Sequence, residues 1–124
     1  MTIKEAIEFA DEVKPNAFST AVKVKWLEQL DGHIAAEELC MSPVDLESLR
    51  YSEDKLDVEL LIDRPYDDLY PMWLAAKIDL ANGEYNKYQN SMQVYNAHYG
   101  SFVVWFAEHY EREKGARGFN GWTL

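Results

Sequence analysis

The sequence predicts an all-α protein: a small helical bundle with a long helical hairpin over about 70–82 and 84–113. Three observations carry this. Tyr85, Tyr88, Met92, Tyr95, Tyr99, Phe102 and Phe106 recur at spacings of 3 and 4, which lines one helix face with aromatics. The preceding stretch is apolar on most sides through Leu69, Trp73, Leu74, Ala76, Ile78 and Leu80, as in a helix buried all round. Capping signals mark two more helices upstream. At 124 residues the chain suits one domain, read as 1–114, followed by a flexible C-terminal arm over 115–124.

The first helix opens on Thr2-Ile3-Lys4-Glu5, a capping box, and turns Ile3, Ile7, Ala10 and Val13 to one face. Pro15-Asn16 ends it. Ser19 caps a second helix reaching about Cys40, with Val22, Trp26, Leu30 and Ile34 as its inward stripe, widened by Leu27. Lys23, Lys25 and Glu28 fall on its other faces. Gly32, inside the pattern, marks a bend or a close helix contact. His33 has no partners at metal spacing and reads as structural. Cys40, the one cysteine, excludes an internal disulfide and reads as a small hydrophobe at the helix end.

Ser42-Pro43 opens an irregular acidic segment, 41–65, with a helical turn over Val44–Leu49 and at most a short strand. Val58, Leu60 and Ile62 alternate with Glu59, Leu61 and Asp63, and a lone extended segment needs a partner, either a neighbouring subunit or a small hairpin. Asp67 and Asp68 suit the first turn of the next helix, which Pro71 starts near Tyr70. At Asn82-Gly83 the chain either turns or runs on as one kinked helix. A turn gives an antiparallel hairpin that buries the aromatic seam. The last helix carries an amide face of Asn86, Gln89, Asn90 and Gln93, suited to a packed subunit interface. It should stop near Lys114, leaving Phe119, Trp122 and Leu124 as anchors on the arm, which docks on another chain or folds back.

Charge narrows the function classes. Between Asp31 and Asp68 lie twelve acids and three bases, a net of −9 out of −10 for the chain. Such a chain does not bind DNA by releasing counterions. The acids are a solvating loop, or a surface that meets a basic partner or repels nucleic acid, with Glu53, Asp54, Asp57 and Glu59 at its centre. Enzyme motifs are missing: no phosphate-cradling glycine loop, GxSxG, HExxH or CxxC, and His98 and His109 stand too far apart on one helix to share a metal. No cofactor, metal or catalytic residue is expected. No apolar run spans a membrane, and the opening stretch lacks the apolar region of a secretory leader.

Three pieces carry a resemblance: Trp26-Leu27-(x)2-Leu30-Asp31-Gly32-His33-Ile34, Pro65-Tyr66-Asp67-Asp68-Leu69-Tyr70, and Asn82-Gly83-Glu84-Tyr85-Asn86-Lys87-Tyr88-Gln89-Asn90-Ser91-Met92. Together they resemble the small head–tail connector, or head-completion adaptor, proteins of tailed bacteriophages and prophages. The resemblance covers most of residues 2–110, and its second and third pieces are the more specific. Pro71 departs from it, standing where a plain helix former is expected. The resemblance implies a helical virion protein, found in the host cytoplasm during assembly. It implies docking on the portal protein in a ring of roughly twelve copies, contact with tail-side connector proteins, and an extended channel through which DNA passes without specific binding. The amide face and the arm then become portal or subunit interface, and the acids the lumen wall. A different class also fits the charge: an acidic soluble binding module, of anti-repressor or DNA-mimic type, acting on a basic protein.

Overall fold

The computed structural model describes the backbone of residues 1–117, and side chains as far as His109. Five helices follow in order: α1 (Ile3–Val13), α2 (Thr20–Glu37), α3 (Pro43–Glu47), α4 (Leu69–Ala81) and α5 (Tyr85–Arg117). The described residues hold one isolated antiparallel bridge, Thr2 with Glu59, and no named strand. The all-α expectation holds.

Local signals set the ends of these helices. The Thr2 hydroxyl accepts from Glu5 N–H, and the Glu5 carboxylate accepts from Thr2 N–H, completing the capping box. Ser19 and Ser42 cap α2 and α3 through their hydroxyls alone, which accept from Val22 N–H and Asp45 N–H, with Pro43 in the first turn of α3. After α4 the chain turns: Gly83 takes φ +74°, and Glu84 N–H closes onto Asp79 C=O at 2.9 Å. Contacts then run in reverse order, Asp79 with Ser91, Trp73 with Tyr95 and Tyr66 with Phe102, so α4 and α5 are antiparallel. Gly83→Ala forces a Cβ into the left-handed region and is expected to lower stability by about 1 kcal/mol, read from urea denaturation. α5 runs past the expected stop at Lys114 to Arg117, because a helix tolerates a glycine such as Gly115 at a cost of about 1 kcal/mol. Phe119, Trp122 and Leu124 lie outside the described residues.

Helix α4 is the buried centre. Leu69, Tyr70, Pro71, Leu74, Ala76, Ile78 and Asp79 are all buried, whereas of its expected apolar set Trp73 is half-buried and Leu80 exposed. Around it pack Ile3, Ala6, Ile7 and Ala10 of α1, with Val13 outside, and Val24, Leu27, Leu30 and Ile34 of α2. Tyr95 and Phe102 of α5 close the core, with Met92, Tyr99 and Phe106 packed against it, whereas Tyr85 stands exposed at the start of the seam.

Helix α2 departs from its expected orientation. Its inward face is Lys23, Val24, Leu27, Leu30, Asp31, Ile34 and Ala35; Val22 is exposed and Trp26 half-buried. The apolar stripe assumed that charged residues face out, but Lys23 and Asp31 are buried against polar partners. Gly32 marks neither bend nor close contact, since a Cβ there meets nothing within 4 Å. Beyond the helix end, Cys40 is exposed with φ +55° and is no part of the core.

The extended segment finds its partner within the chain, not in a neighbour or a hairpin of its own. Ile3 N–H donates to Val58 C=O at 3.0 Å, Lys4 N–H to Leu56 C=O at 2.9 Å, and Leu60 N–H to Met1 C=O at 3.0 Å. Two first-turn donors of α1 are satisfied this way, and Leu60 and Ile62 turn into the core.

Candidate interaction surfaces

Three polar nodes inside the molecule decide what the surface displays. At the first, Asp31 is fully buried with no cation beside it. Its carboxylate accepts from the Tyr51 hydroxyl, from the Tyr70 hydroxyl at 2.6 Å and from Leu61 N–H at 3.1 Å. The Tyr70 oxygen in turn accepts from Ile62 N–H at 2.8 Å. One side chain of α2 thereby holds the 51–62 segment against α4. Burial pushes the Asp31 carboxyl above its ordinary range, against the opposing pull of its three donors. Burial and that carboxylate push both tyrosine hydroxyls up as well.

The second node joins α1, α4 and α5. Lys14 Nζ donates to both Asp79 oxygens at 2.6 and 2.7 Å, and Ser91 Oγ donates to Asp79 at 2.9 Å. In the third, buried Lys23 donates to both oxygens of Asp11 at 2.9 Å and to Asn16 at 3.2 Å, tying the α1–α2 connection down. All three are closed on themselves. No buried side-chain polar atom among the described residues lacks a partner, and no His, Cys, Asp and Glu grouping there could hold a metal. Their spacing in sequence hides them, because the partners lie as far as 65 residues apart. Asp31 carries one readable signal: it stands four after Leu27 and three before Ile34, on the apolar face.

On the surface, Glu53, Asp54, Asp57 and Glu59 are all exposed, at the tip that Asp31 holds down. Among the described residues the first three have no ion-pair partner, whereas Glu59 meets the Met1 amine at 3.2 Å. The acidic surface is smaller than the sequence count. Asp31 is in the core, Glu38 accepts from the Tyr99 hydroxyl at 2.9 Å, and Glu47 pairs with Arg50.

The amide residues Asn86, Gln89, Asn90 and Gln93 are exposed along the outer face of α5. Among the described residues no hydrogen bond or ion pair links them to Glu53, Asp54, Asp57 or Glu59. The same outer face exposes Val94 by 51% and Val104 by 60%. Gly100 sits between these valines with open space where a Cβ would stand. Downstream, His109 Nδ1 lies 3.0 Å from Trp105 C=O, and upstream His98 faces Asp68 at 3.7 Å. No helix of the described residues is long and apolar enough to cross a membrane. In comparisons with known proteins, the chain matches no family model, no curated protein and no solved structure.

Proposed function

We propose that this chain is a non-enzymatic structural protein of a tailed phage or prophage, a head–tail connector that docks on the portal ring and extends the DNA channel. The observation that carries the reading is the resemblance of the Pro65–Tyr70 and Asn82–Met92 pieces. These form the start of α4 and the hairpin turn into α5, the centre of the fold. Two features support it. A subunit of a ring needs faces for neighbours, and α5 offers a long uncharged one. A channel wall that passes DNA needs net negative charge, and the Glu53–Glu59 tip offers that, with four acids against Lys55 and the Met1 amine beside Glu59. In this reading portal protein, neighbouring copies and tail-side connector proteins are the partners, and the virion is the destination.

Mass spectrometry of purified particles tests the proposal. The chain is expected beside the portal protein at comparable copy number; abundance in the lysate with absence from particles would overturn it. Converting Glu53, Asp54, Asp57 and Glu59 to their amides is expected to slow DNA passage while particles still assemble. Infectivity equal to wild type would remove the acidic tip from the channel wall.

A second reading rests on the same exposed acids: a soluble module that occupies the basic surface of a protein partner. It predicts a 1:1 complex, recovered by pull-down from lysate and weakened by salt.

A further inference from the structure

We propose that the outer face of α5 is a self-docking surface, which takes α5 of a second copy, antiparallel, with the two helices closest at Ala97 and Gly100.

The helix carries two seams. The inner one is aromatic and faces the core. On the other side Asn90, Gln93, Ala97, Gly100, Val104 and Ala107 recur at spacings of 3 and 4, and all are exposed. That is the repeat by which one helix packs along another. α5 is about 50 Å long and α4 about 20 Å, so the outer seam has room for a second helix along its length.

Charge names the occupant. The chain carries −10, yet from Tyr88 to Ala107 it has no Asp, Glu, Lys or Arg. Two copies repel through most of their surfaces, and they meet at least cost where neither carries charge. A basic protein would gain more at the Glu53–Glu59 tip, and a nucleic acid finds no cation on this stretch. The contact is therefore one that an acidic chain makes with itself.

The middle of the seam is shaped for close approach. Gly100 weakens the helix interior, and nothing within the chain requires it, since a Cβ there meets nothing within 4 Å. With Ala97 one turn before, it lowers the surface so that a second backbone comes near. Beside it runs a groove of about 590 Å³ lined by Tyr66, Ala97, Gly100, Ser101, Val104, Trp105 and the charged Glu108, which receives the side chains of the opposing seam. The ends set the direction. Antiparallel pairing centred near Ala97 brings Lys87 of each copy beside Glu108 of the other, whereas parallel pairing stacks like on like.

The inference does not depend on the connector reading, and it gives the α5 face to a pair, so a ring of this chain would join its neighbours through other faces. A two-fold pair uses one face twice, while a ring uses two different faces.

Sedimentation equilibrium on the purified full chain, in a concentration series up to about 100 μM, tests it. A dimer is expected, tighter at higher salt because the repulsion is screened. Gly100→Arg is expected to raise the dissociation constant by about 100-fold or more while the chain keeps its helical circular-dichroism spectrum, because its side chain enters open space. In a Cys40→Ser background, Ala97→Cys is expected to cross-link across the dimer on oxidation, and Gln29→Cys, on α2, is not. A wild-type chain that stays monomeric overturns the proposal. So does a Gly100→Arg chain that dimerises as tightly as wild type. A dimer from a chain absent in particles would overturn the connector reading alone; a monomer from a chain present beside the portal would overturn this inference alone.

Discussion

Asp31→Ala is expected to cost about 3–5 kcal/mol, a large share of the stability of a domain this size. The substitution leaves three donors, the hydroxyls of Tyr51 and Tyr70 and the N–H of Leu61, without their shared acceptor. Each buried donor stranded in this way costs about 1–3 kcal/mol. Asp31→Asn keeps one oxygen but turns an NH₂ toward these donors, so it is expected to fall between wild type and alanine. Urea denaturation reads the loss. Hydrogen exchange locates it: the Leu61 and Ile62 amides should lose protection before those of α4. The pH dependence has a definite sign. The folded carboxyl titrates above its ordinary value of 3.8, so its contribution is fully present below that value and is lost as pH rises through the folded one. The stability gap between wild type and Asp31→Asn should therefore narrow from pH about 4 upward; a gap that widens would show the donors outweighing burial.

Lys14→Met is expected to cost about 3–5 kcal/mol, because it leaves the carboxylate of Asp79, 1% exposed, uncompensated in the core. The opposite change is milder. In Asp79→Asn the Lys14 ammonium, 30% exposed as a side chain, turns to water. The double variant Lys14→Met with Asp79→Leu should recover much of the loss, since no buried charge remains. A double-mutant cycle on denaturation midpoints checks this. Additive losses would show that Asp79 is held by Ser91 and its surroundings rather than by the lysine.

What the sequence reveals and hides follows from distance along the chain. The capping box at Thr2 and Glu5, the cap at Ser19 and the turn at Gly83 are contests within a few residues, so local chemistry decides them. The aromatic seam is legible because its period is helical over many turns. The orientation of α2 is not legible in the same way. Turning Lys23 and Asp31 inward depends on Asp11, Asn16, Tyr51 and Tyr70, and the apolar pattern alone pointed to Val22 and Trp26. The partner of the 58–62 segment is likewise remote, at residues 1–4. On the surface, the exposed acids and amides were found from composition and periodicity. The sequence leaves unstated that one of the acids, Asp31, is a core residue.

The pairing of residues 1–4 with 56–60 also dictates an order of events. Closing that loop brings together positions more than fifty apart, and α1 packs more extensively on α4 than on α2. The hairpin of α4 and α5, joined by a short turn, has the cheapest closure and is the natural nucleus. The expected order of folding runs from the C-terminal half back toward the N-terminus, against the direction of synthesis, with α4 and α5 protected first in pulsed hydrogen exchange. On the ribosome, α1 and α2 have only each other to cover their apolar faces until α4 has emerged.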